Sequence, residues 1–290
     1  MRSLWWTWLK VGGGLVILAL LWWRLGSAPF RDGLRSVDAG ALLAASAIAV
    51  VTTVASAWRW RVVARGVDVD LPLRAAVAAC YRSQFLNSVL PGGILGDVHR
   101  GIRHGQQLGR IGTGMRAVVW ERIAGQVVLA ALAVPALLSL TRSPLVWLAI
   151  AGAGLLAVLA LRQQRRLGVP VLAPTAWATV ALASAVAVCG YVATFLVAAS
   201  AVGSDVGAGT LVPVAVLVLL ASSIPVNIGG WGPREGAAAW VFSLAGLSAS
   251  LGLSVAVAYG VMGLVATLPG AVVLLADRLE PTPRHVGRAA

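Results

Sequence analysis

The chain has 290 residues, of which 59% are hydrophobic and only 11% charged, and its mean hydropathy is +0.87. Such a composition leaves too little polar surface for a soluble domain and indicates an all-α integral membrane protein. The net charge of +13 does not indicate nucleic-acid binding, because the basic residues lie in short loops between apolar runs. Membrane topology and anionic lipid headgroups account for them better.

Charge-free apolar runs predict six membrane spans. A spanning helix needs about 20 apolar residues. The predicted spans cover residues 5–25, 40–57, 115–140, 145–161, 175–202 and 249–276. Tryptophans flank the first span at both ends, as in interfacial aromatic belts. The charge-free run over 236–276 would form a helix of about 60 Å, twice the hydrocarbon thickness, so we expect a break near 246–252.

A proline with paired glycines interrupts the apolar sequence at two places. The first break is Leu90–Asp97, with the sequence LPGGILGD, and the second is Ile224–Glu235, with the sequence IPVNIGGWGPRE. Proline and clustered glycine end helices, and irregular backbone at membrane depth needs protein or water as a partner. We therefore predict two re-entrant helical hairpins, near residues 74–97 and 210–247.

The distribution of positive charge favours hairpins over additional spans. If both hairpins return to their own side, six spans place both termini and most of the 23 basic residues in the cytoplasm. The first hairpin then enters from the cytoplasm and the second from outside. Matching breaks in oppositely oriented halves are the sequence sign of an inverted repeat with a site at the midplane. We therefore divide a single membrane domain, 1–290, into halves 1–161 and 162–290.

Ionisable side chains in or beside the membrane-depth segments are candidates for the site. They are Arg82, Asp97, Glu121, Arg122, Arg234 and Glu235. A charge at the centre of a membrane helix costs about 2.5–3.5 kcal/mol on insertion scales, so such groups face a cavity or pair with one another. The candidate partners are Arg100 and Arg234 for Glu121, and Asp97 and Glu235 for Arg122. The sequence leaves open whether these charges bind a headgroup, couple protons or only lock the hairpins.

Both breaks end where a helix is expected to begin, near Asp97 and Pro233. Glycine admits a close approach of ligand to backbone, and free N–H groups at a helix start bind phosphate or carboxylate. Asn87 and Asn227 lie just before the paired glycines, and capping of the broken backbone is favoured over headgroup coordination. The alternative is that the breaks are tight turns between half-helices that pack through small residues.

Conventional catalytic and metal motifs are missing from the sequence. Lys10 is the only lysine, so there is no phosphate-binding G-x-x-x-x-G-K-[ST] loop, and no G-x-S-x-G, H-E-x-x-H or C-x-x-C occurs. His99 and His104 are five residues apart and do not share a helix face. We therefore expect no catalytic residues, no metal and no cofactor. The preference for arginine over lysine is typical of a GC-rich bacterial genome.

Three motifs in order resemble the lysylphosphatidylglycerol synthase transmembrane region family. They are FLNSVLPGGILGDVHR over residues 85–100, Glu121-Arg122, and Pro225 followed by GGWGPREG over residues 229–236. The resemblance covers nearly the whole chain and implies a flippase-like domain that moves or handles lipids between leaflets, among them aminoacylated phosphatidylglycerol and polyprenyl-linked sugars. It implies as signature positions Pro91, Gly92, Gly93, Asp97, Arg100, Glu121, Arg122, Gly229, Gly230, Gly232, Arg234 and Glu235.

The chain departs from that family in two respects. Pro233 stands where a small apolar residue is more usual. The soluble aminoacyl-transferase domain of the full synthase is not represented, so synthase activity is not implied.

The leading hypothesis is a lipid translocase of the bacterial inner membrane that takes an anionic phospholipid or a polyprenyl-phosphate-linked lipid. Residues expected to bind the headgroup or gate its passage are Arg82, Asn87, Pro91, Gly92, Gly93, Asp97, Arg100, Glu121, Arg122, Asn227, Gly229, Gly230, Arg234 and Glu235. The alternative is a lipid-binding or glycosyltransferase-accessory scaffold that moves nothing, and a transferase using a polyprenyl donor is less favoured. A homodimer or a glycosyltransferase partner stays open, and no nucleic-acid partner is expected.

Overall fold

The computed structural model of the protein is all-helical over the residues that it describes, which confirms the predicted fold class. These are residues 2–66, 71–107, 109–140, 174–223 and 229–279, with single positions at 152, 155, 159 and 162. The helices are α1 (Arg2–Leu25), α2 (Ala28–Arg35), α3 (Ala39–Arg65), α4 (Leu73–Val89), α5 (Leu95–Gln107), α6 (Ile111–Leu140), α7 (Pro174–Ala201), α8 (Ala208–Ser222), α9 (Pro233–Leu244), α10 (Ala249–Ala266) and α11 (Pro269–Leu279).

Four helical segments are long and apolar enough to cross a membrane. They are α3, α6, α7 and the segment Ala249–Asp277 that joins α10 and α11, and they correspond to four of the predicted spans. A fifth results if α1, from Gly12, and α2 form one bent span. The span predicted over 145–161 lies outside the described ranges apart from single positions. The chain is therefore a multi-pass membrane protein, and a total of six spans stays a prediction.

The short helix α2 was not predicted from the sequence. It follows α1 with a bend of 102° and packs on α10. Gly33 lies against the backbone of Ser254, where an added side chain would overlap the Ser254 carbonyl, and the Ser254 hydroxyl donates to the Pro29 carbonyl at 3.0 Å. Small residues at this contact therefore allow α2 to pack closely on α10.

The first break is a helical hairpin, as predicted. α4 ends at Val89, and the chain turns through Gly92 and Gly93, whose φ angles of 90° and 61° favour glycine. α5 then begins at Leu95 and packs back on α4. Gly96 lies directly on the Ser83 backbone, so the two helices approach as closely as only a glycine allows.

The second break has the same form. α8 ends at Ser222 and α9 begins at Pro233, and the two helices pack together. Residues 224–228, which include Pro225 and Asn227, lie outside the described residues. The predicted break in the long apolar run is confirmed, because α9 ends at Leu244 and α10 begins at Ala249.

Two sets of four helices repeat one packing order. In α3–α4–α5–α6 and again in α7–α8–α9–α10, each helix packs on the next, and the first packs on the last. The sets join through α3 and α7, and α3 also contacts α10 as α6 contacts α7. The largest core lies around the second set, where Phe195, Phe242 and Met262 are fully buried. This order is consistent with a repeat, while its opposite orientations and its boundaries at 161 and 162 stay predictions.

We expect Gly96→Ala to lower the melting temperature of the detergent-solubilised protein. The added methyl group would overlap the Ser83 carbonyl, and overpacking of this kind costs about 1–3 kcal/mol. Gly263→Ala on α10 is the matched control, since no atom lies within 4 Å of its added Cβ. Equal melting temperatures for the two variants would contradict the close packing of α4 on α5.

Candidate functional site

A polar cavity of about 190 Å³ lies among α3, α4, α5, α6 and α7. We call it the charged cavity. Its polar and ionisable lining residues are Ser56, Arg59, Cys80, Ser83, Gln84, Asn87, Asp97, Arg100, Glu121, Arg122, Gln126 and Tyr191. Five of the residues singled out in the sequence thus meet here, although they come from three helices.

Asp97 is bound on several sides. It is the third residue of α5, where the helix dipole favours a negative charge. Its carboxylate accepts from the Ser83 hydroxyl at 2.7 Å, the Asn87 amide at 2.9 Å and the Arg100 guanidinium at 3.2 Å. Arg122 on α6 also donates to it, so this predicted partner of Arg122 is confirmed.

Asn87 joins the end of α4 to the start of α5. Its side-chain oxygen accepts from the Gly96 N–H at 2.8 Å while its amide group donates to Asp97. This confirms capping of the broken backbone by Asn87. The Gly96 N–H, near the start of α5, is therefore bonded within the protein, and binding of a ligand by the other N–H groups of this helix start stays a prediction.

Glu121 is clamped between two arginines from different helices. The Arg59 Nε donates to its carboxylate at 2.9 Å, and an Arg100 Nη donates at 2.7 Å. Arg100 is therefore confirmed as a partner, and Arg234, the other candidate, does not pair with it. The carboxylate is buried, with a side chain only 5% exposed.

Arg59 was missed in the sequence because it follows the apolar run that was read as the second span. α3 continues to Arg65, which carries Arg59 into the bundle. Its guanidinium also donates to the Ser184 hydroxyl at 3.0 Å and lies against Gly125, where an added Cβ would come within 2.9 Å. The only sequence signal was a glycine on α6 four residues after Glu121, which leaves room for a large side chain.

The charges in the cavity do not balance. Among the described residues, Arg59, Arg100 and Arg122 face two carboxylates, those of Asp97 and Glu121. Arg59 and Arg100 have side chains that are 11% and 4% exposed, whereas that of Arg122 is 40% exposed. The excess positive charge can therefore meet an anion at Arg122, beside neutral polar groups of the lining.

The start of α9 forms a separate, neutral charge pair. The Arg234 Nε donates to Glu235 at 2.9 Å, and Glu235 also accepts from the Gly232 N–H at 2.6 Å, so Arg122 does not pair with Glu235. The Arg234 guanidinium lies 5.2 Å from the ring centroid of Trp231. As at α5, a side chain of the protein accepts a hydrogen bond from one backbone N–H at the start of the helix.

The remaining candidate residues lie apart from the charged cavity in the described structure. Pro91, Gly92 and Gly93 form the first turn, and Arg82 lines a second cavity with Asp277. Gly229 and Gly230 lie just before α9, and Gly229 touches the end of α4, with its added Cβ 3.1 Å from the Ser88 carbonyl. The second break therefore lies against the last turn of α4. Asn227 is outside the described residues.

The fold and this cavity define a class: a multi-pass α-helical membrane protein with a cationic polar cavity inside its bundle. The model of the family described as lysylphosphatidylglycerol synthase TM region matches residues 7–167 and 160–270. The chain belongs to this family and is a lipid-related membrane protein. No curated protein matches the chain at a significant level.

We expect Glu121→Gln to destabilise the protein strongly. Removing one partner of a buried ion pair costs about 3–5 kcal/mol, because Arg59 and Arg100 would lose a shared carboxylate. The melting temperature of the detergent-solubilised protein measures the loss. Asp32→Asn, at an exposed carboxylate on α2, is the control and should melt like the wild type.

A double variant tests whether the loss comes from charge. Arg59→Gln combined with Glu121→Gln removes one charge of each sign. Its melting temperature should therefore fall by less than the sum of the decreases in the two single variants. Strictly additive losses would contradict a direct ion pair between the two side chains.

Proposed function

We propose that the protein is a lipid translocase that moves a lipid with a phosphate-bearing headgroup between the leaflets of the bacterial cytoplasmic membrane. In this proposal the lipid is an anionic phospholipid or a polyprenyl-phosphate-linked lipid. The protein moves this lipid and makes or breaks no covalent bond in it, so it is not an enzyme. Both termini lie in the cytoplasm, as the distribution of basic residues favours.

The observation that carries the proposal is the unbalanced positive charge in a cavity inside a membrane bundle. Ionisable groups within the membrane usually mark the path of a substrate or an ion. Arginine suits phosphate because its planar guanidinium donates two parallel hydrogen bonds. Arg122 presents such a group, 40% exposed, and Asp97, the carboxylate that it contacts among the described residues, is shared with Arg100.

The contact of the second break with α4 supports movement as well as binding. Gly229 lies against the last turn of α4, the helix that leads into the first break and whose Asn87 lines the charged cavity. Transporters built from repeats commonly place their substrate between such discontinuous helices. The family, whose name refers to lysylphosphatidylglycerol synthesis, adds a lipid context.

We expect purified protein in liposomes to move fluorescent phosphatidylglycerol between leaflets, measured by the fraction that external dithionite bleaches over time. Arg122→Gln should slow this movement about 10-fold or more, because a hydrogen bond to a charged group contributes about 1.5–3 kcal/mol. Arg35→Gln, an exposed arginine on α2, is the matched control for loss of one charge.

The headgroup and the alternative function are tested in the same assay. Fluorescent phosphatidylcholine, which has no net charge, should move more slowly than phosphatidylglycerol through the wild-type protein. Folded protein that binds phosphatidylglycerol but moves neither lipid would overturn the proposal and favour a non-transporting scaffold.

A further inference from the structure

Helix α4 separates two cavities. Cys80, Ser83, Gln84 and Asn87 face the charged cavity, and they are spaced as one stripe along a helix. A second stripe, Ala75, Ala78, Ala79 and Arg82, faces another cavity of about 160 Å³. We call this one the second cavity. Its other walls come from α3, α5 and α11, together with Leu71.

The second cavity also has an excess of positive charge. Arg82 on α4 and Arg103 on α5 both donate to one carboxylate oxygen of Asp277 on α11, Arg103 at 2.6 Å. Two guanidinium groups therefore share a single carboxylate. Arg103 has a side chain 38% exposed, so the protein covers its charge only in part.

Arg82 has an unmet hydrogen-bonding group. The residue is only 6% exposed, and its Nε has no hydrogen-bond partner among the described residues. A buried N–H group without an acceptor is unfavourable, so the Arg82 Nε is available to donate to water or to an anion in the cavity. Phosphate and carboxylate oxygens both form strong charge-assisted hydrogen bonds with a guanidinium group.

The two cavities share one side chain. Arg100 lines both, with its guanidinium bonded to Asp97 and Glu121 on one side and lying 4.6 Å from the ring centroid of Trp60 on the other. An anion in either cavity would therefore interact with the same buried cation. The cavities are neighbours along one helix hairpin, and their chemistry is alike.

We propose that the second cavity is a second anion-binding site, in which Arg82 and Arg103 hold a phosphate group. This rests on the proposed function in that its ligand is the same class of lipid headgroup, which the protein then holds at two successive positions on either side of α4. The alanine stripe of α4 supplies an apolar wall for the part of the lipid next to the phosphate.

The proposal is tested by counting bound lipids in native mass spectra of the full chain, in detergent titrated with phosphatidylglycerol. The wild type should bind two molecules of phosphatidylglycerol, and it should bind phosphatidylglycerol in preference to phosphatidylcholine. Arg103→Gln should bind one, Arg122→Gln should bind one and the double variant should bind neither. Arg35→Gln, the surface control, should bind two. Two molecules bound by Arg103→Gln with wild-type affinity would overturn the second site.

Asp277→Asn gives a test in the opposite direction. It removes the shared carboxylate, so the second cavity should hold phosphatidylglycerol several-fold more tightly than in the wild type. If Arg82, Arg103 and Asp277 served only to stabilise the bundle, the variant would melt at a lower temperature and bind phosphatidylglycerol no more tightly than the wild type. That result would overturn the proposal.

Two further arms separate the source of the anion and the two proposals. Inorganic phosphate at millimolar concentration should leave both lipids bound if the ligand is a headgroup, and should displace the lipid held by Arg103 if free phosphate is the ligand. If the wild-type protein binds two lipids but moves none between leaflets, the translocase function alone is overturned. Normal movement by Arg103→Gln with unchanged lipid count would overturn the second site alone.

Discussion

The guanidinium of Arg100 is the interaction on which the charged cavity depends. It donates to Asp97 on its own helix and to Glu121 on α6, and Glu121 is held in turn by Arg59 on α3. Each of these buried charges would be costly alone, and together they neutralise one another. Three helices are thereby tied at one depth, and Arg122 is left as the exposed cation.

The second half of the chain satisfies its charges in a different way. Asp97 and Glu235 are both the third residue of the helix after a break, but Asp97 is reached by an arginine from the following span, whereas Glu235 pairs with its neighbour Arg234. On α10, Gly260 leaves the space that the Arg234 guanidinium occupies. The Arg234–Glu235 pair is neutral and is covered by aromatic rings. This half therefore contributes an ion pair that stabilises the bundle, and the first half contributes the exposed cation Arg122.

The breaks, the helix starts and two of the ion pairs were predictable because few arrangements satisfy a proline, paired glycines or a charge at membrane depth. Asp97 with Arg122 and Arg100 with Glu121 were among the pairs that this constraint allowed. The partners at the ends of apolar runs were not predicted: Arg59 and Asp277 each follow a charge-free run in the sequence. Only the length of α3 and the packing of α11 on α4 carry them into the bundle.

The contact of Gly229 with α4 makes the two halves of the chain mechanically dependent. α4 forms a wall of both cavities, and its last turn bears on a glycine in the opposite half, where an added Cβ would come within 3.1 Å of the Ser88 carbonyl. A displacement of the second break toward α4 would therefore reach a helix that lines both cavities.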